Sequence, residues 1–124
     1  MDIQHKILIV EDETALGEAL VDKFQLEGFI TFSAIDGAEG LTLAFKEHPE
    51  IILLDVAMPK MDGIEMLKQM RQDEWGKNIK VIILSNFSDQ EKITKAVEHG
   101  VYEYLIKSDW KLEDIVKKVK QKIK

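Results

Sequence analysis

Four short apolar runs in this sequence each end on side chains that could take part in chemistry. Glu11 and Asp12 follow residues 7–10, Asp55 follows 51–54, Ser85 follows 79–84 and Lys107 follows 101–106. Three carboxylates within a few ångströms of one another would repel, and Mg²⁺, an ion that prefers oxygen ligands, is the simplest species to neutralise them. An ammonium and a hydroxyl beside them would complete a site for a phosphoryl group, for which an aspartate can be the covalent acceptor.

These side chains meet only if the apolar runs are parallel strands of one sheet. Runs of branched aliphatic residues are typical of strands buried on both faces, as in a parallel sheet. The predicted strands are residues 6–10, 29–34, 51–55, 79–84 and 101–106. The crevice outside the carboxyl ends of parallel strands is where α/β proteins bind ligands, so Asp55 is predicted to lie where a site would be.

Helical signals separate the predicted strands. Asp36, Asp62 and Ser88 each precede a glutamate by three residues, which is the spacing of a helix N-cap, and Gly100 is typical of a helix end. Residues 75–78 are predicted to be a loop. The alternation of strands and helices predicts an α/β fold, with a doubly wound five-stranded parallel sheet and helices on both faces.

The composition is that of an ordinary globular domain. The 124 residues carry a formal charge of −6 with 45% hydrophobic residues, and we interpret residues 1–124 as a single domain. The acidic balance argues against direct nucleic-acid binding. The sequence contains no cysteine, no apolar run long enough to span a membrane and no signal-peptide pattern, so we expect a cytoplasmic protein without a membrane partner.

With these residues placed, the chain resembles the receiver domain of two-component response regulators, chemotaxis receivers included, over residues 6–123. The resemblance rests on four segments at the ends of four strands. They are Ile-Leu-Ile-Val-Glu-Asp-Glu at 7–13, Leu-Asp-Val-Ala-Met-Pro-Lys-Met-Asp-Gly at 54–63, Ser85, and Tyr-Leu-Ile-Lys at 104–107. The resemblance implies a flavodoxin-like sheet with the strand order 2-1-3-4-5.

The resemblance also implies a role for each residue at the predicted edge. Asp55 would accept a phosphoryl group from a sensor histidine kinase or a phosphotransfer protein. Mg²⁺ would be held by Glu11, Asp12, Asp55 and the main-chain carbonyl of Ala57. Ser85 and Lys107 would bind phosphate oxygens, and Tyr104 would be the aromatic switch whose rotamer follows Ser85.

A receiver domain of this kind would be a phosphorylation-controlled signalling switch and not an enzyme that turns over a substrate. Phosphorylation would change the surface formed by the fourth helix, fifth strand and fifth helix. A downstream protein, an output domain or a second copy in a phosphorylation-dependent homodimer would read that surface. Ala57 and Phe87 offer no polar group to orient a water, so self-dephosphorylation is predicted to be slow.

The sequence departs from the usual receiver pattern at three positions. Glu11 stands where aspartate is commoner, and Asn86 follows Ser85 where a small residue is usual. Ser108 follows Lys107 where proline, often in a cis peptide bond, is usual. A cis bond before a residue other than proline costs about 2.5–4 kcal/mol, which favours a trans bond and a differently shaped loop here.

Two other functions are alternatives to the switch. A Mg²⁺-dependent phosphohydrolase would use Asp55 as its nucleophile, but the nearest downstream acid, Asp62, is better explained as a helix cap than as a general acid. A flavodoxin-like cofactor-binding module would need a glycine-rich phosphate loop, which no strand-to-helix segment provides. Turnover of a small phosphoester would favour the phosphohydrolase, and a yellow purified protein would favour the cofactor-binding module. Stable labelling of a single aspartate would favour the switch.

Overall fold

In the part of the chain that the structure describes, five strands form one parallel sheet in the order β2-β1-β3-β4-β5. This computed structural model describes residues 4–56, 58, 61–86, 90–101 and 103–123. The strands are β1 (Lys6–Val10), β2 (Ile30–Ala34), β3 (Ile51–Asp55), β4 (Lys80–Ser85) and β5 (Tyr104–Ile106). The predicted α/β fold and the strand order implied by the family resemblance are therefore confirmed.

An α-helix follows each of these strands within the described ranges. The helices are α1 (Thr14–Leu26), α2 (Gly37–Glu47), α3 (Gly63–Arg71), α4 (Gln90–Glu98) and α5 (Leu112–Ile123). Two of the predicted N-caps are present: the N–H of Glu39 donates to Asp36 Oδ1 at 2.8 Å, and the N–H of Glu65 donates to Asp62 Oδ1 at 2.9 Å. The third predicted cap, Ser88, lies outside the described residues. Among the helices described, none has the length and apolar character needed to cross a membrane.

The two faces of the sheet bury separate hydrophobic clusters, because successive side chains of a strand point to opposite faces. Leu54 of β3 belongs to the cluster that contains Met66 of α3. Leu53, its neighbour, belongs to the cluster that contains Phe24 of α1 and Ile115 of α5. Every residue of β3 is buried, so the strand that ends on Asp55 is held on both faces.

The fifth strand begins later than the sequence predicts. The apolar pattern predicts a strand over residues 101–106, but pairing with β4 begins at Tyr104. The N–H of Val101 donates to the carbonyl of Ala96 at 3.0 Å, and Gly100 has a φ of 80°. Residues 100 and 101 therefore close the carboxyl end of α4 instead of opening a strand.

One arginine ties together the connections at the amino edge of the sheet. Arg71 Nε donates to the carbonyl of His99 at 2.9 Å, and Nη1 donates to the carbonyls of Gly76 and Ile79 at 2.8 Å each. The predicted loop over residues 75–78 accordingly contains a 3₁₀ turn. Burial lowers the pKa of Arg71, and three carbonyl acceptors compensate for the water that its guanidinium has lost.

Candidate functional site

Three carboxylates meet at the carboxyl edge of the sheet. Glu11 and Asp12 directly follow β1, and Asp55 ends the neighbouring parallel strand β3, so the sheet itself places them together. Glu11 is 3% exposed and Asp55 is 1% exposed. One carboxylate oxygen from each of the three acids lies within 4.8 Å of the others. The structure therefore brings together the three side chains that were predicted as metal ligands.

Lys107 supplies the positive charge at this cluster. Its Nζ lies 2.9 Å from Glu11 Oε1, 3.2 Å from Glu13 Oε2 and 3.2 Å from Asp55 Oδ2. Burial alone would lower the pKa of Lys107, but the hydrogen bond to Glu11 and the charges of Asp55 and Glu11 more than offset it and raise the pKa above its ordinary value. Lys107 is thus a fully charged counter-ion shared by three carboxylates.

The donor set fits an oxygen-liganded divalent cation. Glu11 Oε2 accepts hydrogen bonds from Lys107 Nζ and from the N–H of Glu13, both at 3.0 Å. Glu11 Oε1 is buried and, although near the ammonium, accepts no well-directed hydrogen bond from the described residues. Carboxylate oxygens are ligands that Mg²⁺ prefers, and the ion is held through one or two carboxylates plus waters. The fourth predicted ligand, Ala57, lies outside the described residues.

Ser85 presents a buried hydroxyl beside these acids. It ends β4, one residue beyond the position that pairs with Asp55. The residue is fully buried, and its Oγ has no hydrogen-bond partner within the described part of the chain. Because a buried hydroxyl without a partner is costly, a ligand oxygen bound at Asp55 would satisfy it.

Tyr104, the predicted aromatic switch, lies at the surface in this structure. It opens β5, pairs with Ile83 of β4, and is 48% exposed. Val97 of α4 is also a large exposed apolar residue, at 43%. The described residues of α4 and β5 therefore leave apolar side chains uncovered, and Tyr104 has not turned into the core.

The Lys107–Ser108 peptide bond is trans, as the sequence predicts. No peptide bond is cis in the part of the chain that the structure describes, and Lys107–Asp109 forms a 3₁₀ turn directly after β5. The exposed Asn86, the second departure from the family pattern, directly follows β4.

Two residues of the site were missed by the sequence analysis. Glu13 is the third acid of the Glu-Asp-Glu segment. If all three acids of that segment had been treated as candidate site residues, the contact of Glu13 with Lys107 could have been predicted. Lys92 of α4 donates to Asp62 Oδ2 at 3.2 Å and to the carbonyl of Val56 at 3.4 Å. No motif marks Lys92, because its partners lie 30 and 36 residues away in the sequence.

Comparison with known proteins agrees with this geometry. The family model described as the response regulator receiver domain matches residues 7–120. Over 105 residues the chain is 37% identical to sporulation initiation phosphotransferase F of Bacillus subtilis, with 85% of this chain and 83% of that protein covered. Over 103 residues it is 38% identical to the regulatory protein AtoC of Escherichia coli, with 83% of this chain but only 22% of that protein covered.

A solved structure with a similar fold is a CheY-like response regulator receiver domain protein from Methanospirillum hungatei. The TM-score is 0.89 at 26% sequence identity, and the match covers 98% of this chain and 94% of that one. Strand order and helix placement are therefore shared over nearly the whole described length.

Proposed function

We propose a function from the premise that this chain belongs to the response regulator receiver-domain family, which its match over residues 7–120 establishes. The proposed function is that of a signalling switch in which Asp55 accepts a phosphoryl group in a Mg²⁺-dependent reaction. One observation carries this proposal. The buried Asp55 carboxylate lies 3.2 Å from Lys107 Nζ, and the buried hydroxyl of Ser85, at the end of the neighbouring strand, has no hydrogen-bond partner among the residues that the structure describes.

In the proposed transfer, an oxygen of Asp55 attacks the phosphorus of a phosphohistidine. An O–P bond forms as the P–N bond breaks, and the released imidazole takes a proton from solvent. Mg²⁺ held by Glu11, Asp12 and Asp55, with the main-chain carbonyl of Ala57 as the fourth proposed ligand, would supply positive charge for the phosphoryl oxygens. Lys107 and Ser85 are the side chains of this chain that would donate to those oxygens.

Lys107 and Ser85 would also convert phosphorylation into a change of surface. The phosphoryl group adds oxygens that compete with the Glu11 and Glu13 carboxylates for the ammonium. As Ser85 bonds a phosphate oxygen, Tyr104 turns inward. The surface formed by α4, β5 and α5 would then differ between the two states.

The proposed partners are a sensor histidine kinase or a phosphotransfer protein on the input side. On the output side the proposed partner is a downstream protein, an output domain or a second copy of the phosphorylated chain. The Bacillus subtilis relative is named as a phosphotransferase and the Escherichia coli relative as a regulatory protein. Both names describe transfer or regulation, which supports a signalling role for this chain.

The geometry around Asp62 favours the switch over the phosphohydrolase. Asp62 Oδ1 accepts the cap hydrogen bond from the N–H of Glu65, and Oδ2 accepts from Lys92. Both oxygens are therefore engaged by other groups. A general acid must reach the leaving group, so Asp62 is poorly placed to act as one.

The test is labelling with ³²P-acetyl phosphate in the presence of Mg²⁺. We expect one acid-stable, base-labile label per chain, absent from Asp55→Asn and abolished in Asp12→Ala, which should also lose Mg²⁺ binding. Lys107→Ala should still be labelled but should lose the phosphate-dependent change at Tyr104, measured by NMR. Labelling of Asp55→Asn at the parent rate, or continuous release of phosphate without a stable label, would contradict the proposal.

A further inference from the structure

Glu13 lies beside the carboxylate cluster, the three acids proposed as metal ligands (Glu11, Asp12 and Asp55), without belonging to it. We infer that Glu13 is a positioning residue: it keeps the ammonium of Lys107 at the site when a divalent cation occupies the carboxylate cluster. This inference rests on the Mg²⁺ site of the function proposed above.

The ammonium of Lys107 has three N–H donors, and in this structure it contacts three carboxylates. Its Nζ donates to Glu11 Oε2 at 3.0 Å, to Glu13 Oε2 at 3.2 Å and to Asp55 Oδ2 at 3.2 Å. Glu11 and Asp55 are also proposed metal ligands, whereas Glu13 is not. A metal ion would therefore compete with Lys107 for two of its three partners and leave the third to it.

A dication in the carboxylate cluster would also repel the ammonium. One carboxylate oxygen from each acid of the cluster lies within 4.8 Å of the others, and Lys107 Nζ contacts two of these acids. Two positive charges that share carboxylate partners lie close together, and like charges at short range repel. The ammonium is therefore expected to move away from Glu11 and Asp55, and the carboxylate of Glu13 is the partner that remains for it.

Glu13 is the most exposed of the three partners of Lys107. Its side chain is 60% exposed, whereas those of Glu11 and Asp55 are 1% and 2% exposed. Because the stem of lysine is flexible, the ammonium can shift towards Glu13 without leaving the site. An exposed ion pair contributes little while two buried carboxylates hold the same ammonium. The contact with Glu13 should therefore matter mainly when a metal ion has taken the other two partners.

The position of Glu13 in the chain allows its side chain to be tested alone. Glu13 is the N-cap residue of α1, yet its side chain makes no cap hydrogen bond to the described residues, unlike Asp36 at α2 and Asp62 at α3. Its main-chain N–H donates to Glu11 Oε2 at 3.0 Å. A substitution at position 13 keeps this N–H, so the effect of the side chain can be separated from the orientation of Glu11.

The first experiment follows the ammonium protons of Lys107 by ¹H–¹⁵N NMR in the parent and in Glu13→Gln, with and without saturating Mg²⁺. Hydrogen-bonded protons exchange slowly with water. We expect a signal in both metal-free proteins, because Glu11 and Asp55 hold the ammonium there, and this signal also shows that the variant is folded. With Mg²⁺ the signal should persist in the parent and disappear in Glu13→Gln. A signal that persists in Mg²⁺-saturated Glu13→Gln, or disappears from the Mg²⁺-saturated parent, would overturn the inference.

The second experiment measures Mg²⁺ affinity by titration. Glu13→Gln should weaken the affinity by about tenfold, the lower end of the loss typical of outer-shell partners. Glu18→Gln is the matched control, because it removes the same charge from an exposed residue of α1 whose described contacts include no ion pair, and its effect should be smaller. Equal effects of Glu13→Gln and Glu18→Gln would contradict a role through contact with Lys107.

A double-variant cycle tests whether Glu13 acts through Lys107. Lys107→Met should raise the Mg²⁺ affinity, because the ammonium that competes for the carboxylates is gone. In that background Glu13→Gln should weaken the affinity no more than Glu18→Gln does, because the partner of Glu13 is absent. An undiminished effect of Glu13→Gln in Lys107→Met would contradict the inference.

None of these measurements depends on phosphoryl transfer. A parent that binds Mg²⁺ and shows the expected Lys107 signals, but is never labelled by acetyl phosphate, would contradict the proposed function and confirm the role of Glu13. A parent that is labelled at Asp55, but whose Lys107 signal with Mg²⁺ is unaffected by Glu13→Gln, would support the proposed function and contradict the role of Glu13.

Discussion

Lys107 supplies the positive charge that neutralises the carboxylates of the metal-free site. Its side chain is 11% exposed, and the side chains of its neighbours Glu11 and Asp55 are 1% and 2% exposed. Two buried carboxylates this close are tolerated because a cation lies between them. The proposed role of Lys107 in binding phosphate therefore comes with a structural role that the sequence pattern alone does not reveal.

We expect Lys107→Met to lower the free energy of unfolding of the metal-free protein by about 3 kcal/mol, because it leaves buried carboxylates without a counter-ion. Urea unfolding in EDTA measures this. The double variant Lys107→Met, Asp55→Asn should recover part of the loss, since one of the two buried charges is then absent. Saturating Mg²⁺ should recover part of it as well. A double variant no more stable than the single variant would show that charge repulsion is not the cause.

At the scale of the element, the contact between α3 and β3 sets the shape of the site. The first residue of α3 is Gly63, and its N–H donates to the carbonyl oxygen of Val56 at 3.2 Å. There is no room for a side chain at this position, because the nearest atoms are backbone atoms of Asp55 and Val56 and cannot rotate away. The glycine allows the helix to begin directly against the strand that carries Asp55.

Gly63→Ala should therefore lower the free energy of unfolding by about 1–3 kcal/mol, the usual cost of inserting atoms into a packed site, and should weaken Mg²⁺ binding. Gly17→Ala is the matched control. A Cβ at Gly17 would find its nearest atoms at 3.8–3.9 Å, in ordinary contact with Glu11, and alanine inside a helix is favoured over glycine by about 1 kcal/mol. Thermal unfolding should place the two variants on opposite sides of the parent. Two shifts of the same sign would contradict this interpretation.

The sequence could predict the elements and the edge at which the site forms, because both follow from local pattern. Apolar runs and cap spacings are short-range signals, and parallel strands then bring Glu11, Asp55 and Ser85 together without further information. The boundary of β5 was wrong by three residues because Val101 completes the α4 end, which apolar character cannot distinguish from a strand start. Lys92 escaped detection because its contacts with Val56 and Asp62 are long-range in sequence.

The structure shows where the residues named through the family resemblance lie, whereas their chemical roles stay predictions. The structure places Asp12, Asp55 and Lys107 at one site, but phosphoacceptance, metal binding and the Tyr104 switch remain predictions about chemistry. Ala57 and Phe87, on which slow self-dephosphorylation was predicted, lie outside the described residues. Strand order, by contrast, is confirmed by the pairing of all five strands.

At the scale of the whole molecule, the two edges of the sheet are built on different principles. The carboxyl edge gathers charges that need a counter-ion, and the amino edge is closed by hydrogen bonds between a guanidinium and backbone carbonyls. The helices on both faces connect the two edges through separate hydrophobic clusters. The effects of substitutions at one edge should therefore be independent of the effects of substitutions at the other edge.

The guanidinium of Arg71 joins the end of α4, the 3₁₀ turn and the residue before β4, and this makes the three segments a single opening unit. Native-state hydrogen exchange should find the amides of Lys77 and Val101 exposed together, with one shared opening free energy. In Arg71→Met the two amides should exchange independently and faster. Different opening free energies in the parent would show that the segments already fluctuate separately. A side chain at the opposite edge of the sheet from the carboxylate cluster thus determines whether these three segments open together or separately.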